Sequence, residues 1–307
     1  MFVFVIRRIF QMVPVIIGVT LAVFLMIHLI PGDAARIMAG EQADEAQVEQ
    51  MRENLGLNDP WYEQYGRYMA NVVQGDLGTS IRTGRDINTE IFEDRFGNTV
   101  TLALLGTALA VFFGLVTGIV SAVWKHSWLD VGLMLIALFG FSMPNFWLGI
   151  MLIYFFSLYL DILPVAGWDT WQHMVLPTIT LGTVGAAIIA RMTRSSLLEV
   201  IDQDYIRTAR AKGVSEKVVI YKHALRNALI PVITVVGLQF GGLLGGAVIT
   251  ESVFGINGLG QYIITSIKMH DFPAVQGTIL VCAVLFVVVN TMVDITYRIV
   301  NKRIDLE

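Results

Sequence analysis

The sequence contains very little cysteine and very little charge. Its 307 residues include a single cysteine, Cys282, which lies in an apolar run. A disulfide-stabilised secreted scaffold and a cysteine-based metal site are therefore excluded. Asp, Glu, Lys and Arg make up only 15% of the residues, whereas 55% are apolar and the mean hydropathy is +0.66. So few charges cannot cover the surface of a soluble protein of this length, which indicates an integral membrane protein.

The common motifs of enzymes are also absent from the sequence. No GxxxxGK[ST] phosphate-binding loop occurs, so we expect that this chain does not hydrolyse ATP itself. No HExxH pair is present, and the five histidines are scattered. The glycines at 255–260, GINGLG, lack the GxGxxG order of a dinucleotide loop. We therefore predict a protein that is not an enzyme and binds no cofactor, metal or nucleic acid.

Six apolar runs are long enough to cross hydrocarbon, which takes about 20 helical residues. They lie near Ile9–Ile30, Thr99–Trp124, Val131–Leu160, Met174–Met192, Ala228–Thr250 and Thr278–Tyr297. The third run carries Pro144 in its middle, which predicts a kink or a broken helix. Pro177 is expected in the first turn of the fourth helix, where proline is tolerated. The fold class is thus an all-α integral membrane protein with six transmembrane helices.

Basic residues are concentrated on one side of these predicted crossings. They flank the first helix (Arg7, Arg8) and the last (Arg298, Lys302), and they are frequent in the segment 199–227. By the positive-inside rule, this side and both termini are cytoplasmic. The opposite short loop, Asp161–Gln172, has no Lys or Arg.

The long polar segment 31–98 is predicted to form a small extracytoplasmic insertion between helices one and two. Val48, Met51 and Leu55 have helical spacing, and Gly56 suits a C-terminal cap. A second helical stretch is expected over 60–73. The predicted organisation is therefore an N-terminal helix (1–30), the insertion (31–98) and a five-helix core (99–307).

The sequence DYIRTARAKG at 204–213 predicts a compact basic helix on the cytoplasmic side, between two apolar segments long enough to cross the membrane. Acidic Asp204 suits its start, and Gly213 suits its end. Arg207 and Arg210 share one face, while Tyr205, Ile206 and Ala209 lie on the other. The simplest interpretation is a basic loop near lipid headgroups. Small residues, however, permit the close approach of another protein. The predicted docking set is Asp204, Tyr205, Arg207, Thr208, Ala209, Arg210, Ala211, Lys212 and Gly213.

Glycines four residues apart recur in the apolar helices. The pairs Gly114–Gly118, Gly237–Gly241 and Gly241–Gly245 allow helix backbones to approach closely. For any one pair we expect packing within a single bundle rather than a subunit interface. The dense run in the fifth helix favours a closely packed or moving helix beside a pore. The predicted packing and pore residues are Pro144, Gly237, Gly241 and Gly245.

Several motifs resemble those of one known family. RTARAKG at 207–213 and HALRNALIP at 223–231 are similar to the coupling segment of permease subunits of ATP-binding-cassette (ABC) importers. The similarity is greatest to the first permease subunit of the oligopeptide and dipeptide branch. It extends to GDLGTS at 75–80, SMPNFWLG at 142–149 and ESVFGINGLGQ at 251–261, although Asn257 replaces the usual proline.

The resemblance implies a type I ABC importer permease fold in the plasma membrane of a bacterium or archaeon. It also implies a second permease subunit, two cytoplasmic ATPase subunits that bind ATP and Mg²⁺, and an extracytoplasmic solute-binding protein. In that family the short basic helix docks on the ATPase. The cargo stays open among dipeptides, oligopeptides, glutathione, nickel chelates and other small solutes. The alternative is a stand-alone secondary transporter or channel, but the sequence shows no convincing ion-coupling carboxylate at membrane depth.

Overall fold

The protein is built from helices. The computed structural model describes residues 2–29, 33–40 and 42–300, and this part of the chain is helical apart from its connections and one isolated bridge, Thr79–Asp86. In chain order the helices are α1 (Phe2–Leu29), α2 (Ala34–Ala39), α3 (Glu45–Asn54), α4 (Trp61–Val73), α5 (Ile87–Phe92), α6 (Phe96–Val123), α7 (Trp128–Ser142), α8 (Asn145–Leu152), α9 (Trp171–Ile201), α10 (Asp204–Ala211), α11 (Glu216–Val218), α12 (Leu225–Phe254), α13 (Leu259–Lys268) and α14 (Phe272–Val300). Two segments are π-helical: Ile153–Tyr159 follows α8, and Val219–Ala224 precedes α12. The all-α prediction is confirmed.

Four described helical stretches are long and apolar enough to cross a membrane. They are Ile87–Val123, Trp171–Ile201, Glu216–Leu243 and Phe272–Val293, and a bent pair of helices would make a fifth span. The apolar part of α1 in the described residues, Phe10–Met26, is shorter. Multiple membrane crossings therefore follow from the helices themselves, whereas the number six stays a prediction.

The bent pair of helices is separated by Pro144. Helix α7 ends at Ser142, and Met143 adopts an extended conformation with a ψ of 132°. A residue that precedes proline disfavours the helical region, and proline suits the start of the next helix. Helix α8 then begins at Asn145, and the two helical arms, Trp128–Ser142 and Asn145–Tyr159, are bent by 103°. The predicted break at Pro144 is confirmed.

Pro177 lies elsewhere in its helix than the sequence predicted. Helix α9 begins at Trp171, after Thr170 in an extended conformation, so Pro177 is inside the helix and buried. The expectation of Pro177 in the first turn is therefore wrong. Proline leaves one carbonyl of the preceding turn without its helical donor, and membrane helices tolerate this because neighbouring groups and local adjustments of the helix satisfy the freed carbonyl.

The structure divides into two compact units, Met1–Thr99 with Asn257–Val287, and Val100–Ile256 with Val288–Glu307. In the first unit, α3 and α4 agree with the two helical stretches predicted within 31–98. Asp44 and Gln47 form a reciprocal capping box at the start of α3. Gly56 has a φ of +62° just after that helix, a conformation that glycine adopts without strain. Local sequence therefore specifies these two helices, while the three-part division of the chain stays a prediction.

Asp271 fastens the connection before α14 to the loop before α5 in the first unit. Its carboxylate accepts a hydrogen bond from the Ser80 hydroxyl and lies 3.3 and 3.4 Å from the backbone nitrogens of Ile81 and Arg82. Asp271 and Ser80 are both buried. Because a buried carboxylate needs several donors, this contact fixes the loop in place.

The second unit is held by close helix packing between α6 and α9. A side chain on Gly114 would place its Cβ 2.7 Å from Ile189, and one on Gly118 would lie 2.6 Å from the backbone oxygen of Ala190. A Cβ on Gly182 would likewise meet the backbone oxygen of Gly106 at 2.8 Å. The pair Gly114–Gly118 therefore packs within one bundle, as the sequence predicted.

Candidate functional site

The basic helix predicted from the sequence is α10, and it follows α9 after only two residues, Asp202 and Gln203. Its start carries Asp204, an acidic residue in the first turn, where the helix dipole favours negative charge. Its end is set by Gly213, whose φ is +78° and whose N–H bonds to the Arg210 oxygen at 2.9 Å. Both predicted boundaries are therefore correct.

Helix α10 is anchored through one small apolar face. Ile206 is completely buried and packs in a cluster with Ala122 of α6, Leu197 of α9 and Ala228 of α12. Ala209 is partly buried against the same cluster. Burial of an isoleucine side chain contributes about 1.5–3 kcal/mol, so Ile206 stabilises the attachment of this two-turn helix.

Tyr205 does not share that buried face. Its side chain is exposed, and its hydroxyl accepts a hydrogen bond from Asn227 Nδ2 at 2.8 Å. Tyr205 lies on the side of α10 opposite Arg207, as predicted, but 100° of helix rotation separates it from Ile206 and places it outside the buried stripe. The hydrogen bond instead ties α10 to the start of α12.

The remaining predicted docking residues form the exposed side of α10 and its C-terminal turn. Asp204, Arg207, Thr208, Arg210, Ala211, Lys212 and Gly213 are all exposed. Arg207 lies 3.5 Å from Asp204, and Arg210 makes a two-pronged contact with Glu216 at 2.7 and 3.1 Å. Arg210 therefore links α10 to α11. Arg207 and Lys212 are consequently the cations of this segment that are more available to contact another protein.

The predicted packing glycines differ in how closely other helices approach them. A Cβ on Gly237 would lie 2.1 Å from Val293 Cγ1, so α12 and α14 are in close contact in the second unit. Gly241 is also buried, whereas its neighbour Gly242 is exposed and a Cβ there would meet no described atom within 4 Å. The surroundings of Gly245 lie outside what the structure describes. Among the predicted glycines, Gly237 is thus the one at which the structure shows that a side chain would overlap a neighbouring helix.

The ion pair between Asp130 and Arg194 was not predicted from the sequence. Asp130 in the first turn of α7 is buried, and both its oxygens accept hydrogen bonds from the Arg194 guanidinium of α9 at 2.8 Å. Ser121 and the backbone nitrogen of His126 also donate to the Asp130 carboxylate. An acidic residue directly before the apolar run that begins at Val131 was the available signal, but its partner is 64 residues away.

A cavity of about 620 Å³ lies within the first unit. Its walls include Phe24 of α1, Tyr68 of α4 and Gln276 of α14. Burial raises the pKa of Tyr68 to about 12, so its hydroxyl stays neutral at physiological pH. Among the residues whose surroundings the structure describes, none of the predicted site residues lines this cavity.

Together the long apolar helices, the broken α7–α8 pair and the exposed basic α10 indicate a multi-pass membrane protein. Residues 114–306 match the family described as "Binding-protein-dependent transport system inner membrane component", and residues 1–103 match the N-terminal part of such components. The chain belongs to this family and is a membrane permease subunit of an ABC importer. In this family ATP hydrolysis takes place in separate subunits.

Two similar proteins are named as glutathione transport system permease protein GsiC. The one from Escherichia coli strain CFT073 is 46% identical over 98% of both chains, and the one from Pectobacterium atrosepticum is 46% identical over 97% of both. A chain of the inward-facing MetNI methionine ABC transporter has a TM-score of 0.57 at 21% identity, covering 66% of this chain and 93% of the other. A chain of an amino acid ABC transporter has a TM-score of 0.53 at 15% identity and covers 71% and 94%. The two solved structures support the fold alone.

Proposed function

We propose that α10 is the coupling helix by which this permease subunit receives motion from a cytoplasmic ATPase subunit. The observation that carries the proposal is the geometry of α10, a short helix that is anchored by the fully buried Ile206 and the partly buried Ala209 and is exposed elsewhere. A helix that merely satisfied membrane topology would not need such an anchor. A fixed helix that presents small and basic residues is suited to a groove on another protein.

The proposed motion uses the direct connection between α9 and α10. When the ATPase subunits close on ATP, the groove would displace α10, and α9 would follow because only Asp202 and Gln203 separate the two helices. Such coupling requires two states of the bundle that contact the ATPase differently. A second, related permease subunit would complete the pathway, and a solute-binding protein would deliver the cargo.

The proposed topology has six crossings, with both termini in the cytoplasm and 31–98 as an extracytoplasmic insertion. It is supported by the basic residues of 199–227 and by the lack of Lys or Arg in Asp161–Gln172. In this arrangement α1 and the bent α7–α8 pair each supply a crossing. The membrane is the plasma membrane of a bacterium or archaeon.

Glutathione or a short peptide is the proposed cargo. The proposal is based on the 46% identity to glutathione permeases over nearly the whole chain. Glutathione is itself a tripeptide, so one pathway could suit both classes. Purification of the partner binding protein and identification of its bound ligand by mass spectrometry tests this choice, and a bound nickel chelate or sugar would contradict it.

Substitution of Ala211 by arginine tests the docking role of α10. Ala211 is exposed at the end of α10, so arginine there leaves the anchor intact and blocks close approach of an ATPase. Ala209 is less suitable because it packs against the buried cluster, and a larger side chain would displace the helix itself. Ala70→Arg, at an exposed position of α4, is the matched control.

We expect the Ala211→Arg importer to reach the membrane and to lose ATP-dependent uptake, whereas Ala70→Arg retains it. Normal uptake with Ala211→Arg would contradict the docking role. Uptake that persists when the ATPase subunits are deleted would instead favour a stand-alone secondary transporter.

A further inference from the structure

The Asp130 carboxylate joins the ends of three helices in the second unit. Arg194 of α9 donates two hydrogen bonds of 2.8 Å, the Ser121 hydroxyl of α6 donates a third, and the His126 backbone nitrogen donates a fourth at 3.0 Å. The Asp130 side chain is only 5% exposed and that of Arg194 is 28% exposed. Every acceptor direction of this buried carboxylate is used.

The turn between α6 and α7 is shaped around the same carboxylate. His126 has a φ of +64°, a left-handed conformation that residues other than glycine rarely adopt. Its backbone nitrogen points at Asp130 in that conformation. Backbone strain of this kind persists only where the surrounding contacts overdetermine it, and it is concentrated at functional positions.

The pair also fixes the register of α7 against α9. The two helices pack together, and a Cβ on Gly140 near the end of α7 would lie 2.9 Å from Thr183 of α9. A bidentate bond between guanidinium and carboxylate is directional, so it adds resistance to sliding of α7 along α9.

The position of the pair along the chain links α10 to the break at Pro144. Arg194 lies two helical turns before the end of α9 at Ile201, and α10 begins at Asp204. Asp130 lies at the start of α7, whose other end is the break at Pro144. A displacement of α10 would thus pass along α9, through Arg194 to Asp130, and along α7 to the place where the helix is bent by 103°.

We propose that Asp130 and Arg194 are positioning residues that transmit the motion of α10 to α7. This inference rests on the proposed function of α10. A buried ion pair contributes little net stability compared with apolar residues of the same size, because desolvation of both charges offsets their attraction. Its contribution here is to make α7 follow α9 without slippage.

The test uses the assembled importer in proteoliposomes, with ATP hydrolysis and solute uptake measured on the same preparation. Asp130→Asn removes the charge at constant size, and Arg194→Lys keeps the charge but loses the two-pronged geometry. Asp59→Asn is the matched control, since Asp59 pairs with Arg67 at 2.5 Å on the exposed surface of the first unit.

We expect ATP hydrolysis to continue in both variants while uptake per ATP hydrolysed falls about tenfold, within the range of coupling between distant sites. The ratio stays at the wild-type value in Asp59→Asn. An unchanged ratio in Asp130→Asn and Arg194→Lys would overturn the proposal. If Asp130→Asn does not assemble, Arg194→Lys decides the question, and failure of both to assemble would assign the pair to folding alone.

A crosslink separates failure of this inference from failure of the proposed function. A cysteine at the exposed Lys212, in a Cys282→Ala background, reports contact between α10 and the ATPase. Capture of the ATPase together with an unchanged uptake ratio would reject only the role of Asp130 and Arg194. No capture even in the chain with the native pair would reject the coupling role of α10 itself.

Discussion

Replacement of Gly237 by alanine tests the packing of α12 most sharply, because a single methyl group would overlap a neighbour. Its Cβ would lie 2.1 Å from Val293 Cγ1, 2.7 Å from Cγ2 and 2.9 Å from Cβ. Ordinary contacts between carbon atoms are about 3.5–4.0 Å, so α14 would have to move by about 1 Å or more. Valine cannot rotate both branches away, since its χ1 angle is restricted in a helix.

Overpacking of this kind costs about 1–3 kcal/mol, whereas an alanine in open space on a helix is neutral or slightly stabilising. Gly242→Ala on the same helix is therefore the matched control, because it meets no described atom within 4 Å. The assay is thermal unfolding of the purified importer in detergent, followed by uptake. We expect the unfolding midpoint to fall by several degrees for Gly237→Ala and to stay within a degree or so for Gly242→Ala.

A compensating substitution at Val293 separates steric overlap from other effects of the added methyl group. Val293→Ala removes both of the closest atoms, so the double variant with Gly237→Ala should recover part of the loss, with a coupling energy of about 0.5–3 kcal/mol. Equal midpoints for Gly237→Ala and Gly242→Ala, or strictly additive effects in the double variant, would show that α12 and α14 are not in close contact there.

Three further predictions follow from the described contacts. Ile206→Ala should weaken the attachment of α10 by about 2–5 kcal/mol and increase proteolysis of the segment around it, because it empties a fully buried site; unchanged protection would mean that α10 is held by other contacts. Gly213→Ala should cost about 1–2 kcal/mol because its φ is +78°, and reduced uptake at normal membrane insertion is the expected measurement. Asp271→Ala should release the loop at Ser80 and speed tryptic cleavage after Arg82, and cleavage at the wild-type rate would argue against the fastening role of this carboxylate.

Local signals in the sequence were sufficient to predict several elements. Helix α10 could be bounded because its first residue is Asp204 and its last turn is closed by Gly213, and both act through the backbone of the helix itself. The break at Pro144 follows from the chemistry of proline and the residue before it. These features depend only on residues a few positions apart, so the sequence alone is enough to predict them.

Tertiary contacts account for what the sequence could not supply. Pro177 lies inside α9, where membrane helices tolerate proline through contacts that no local pattern indicates. The buried stripe of α10 is narrow because the cluster that packs against it reaches Ile206 and Ala209 but leaves Tyr205 exposed. Asp130 and Arg194 are 64 residues apart, so no local pattern pairs them. Spacing also does not indicate which glycine is closely packed, because Val293, which a Cβ on Gly237 would overlap, is 56 residues away along the chain.

A crosslink between α10 and an ATPase subunit in intact cells shows directly whether α10 docks on that subunit. Lys212→Cys in a Cys282→Ala background places one reactive thiol on the exposed end of α10, and Trp61→Cys places one on the exposed surface of α4 as the control. We predict that the thiol at position 212 captures an ATP-binding subunit, with a yield that changes when ATP is trapped, and that the thiol at position 61 does not. Absence of any such product from position 212, in cells that still import the solute, would contradict the claim that this helix receives the motion that drives transport.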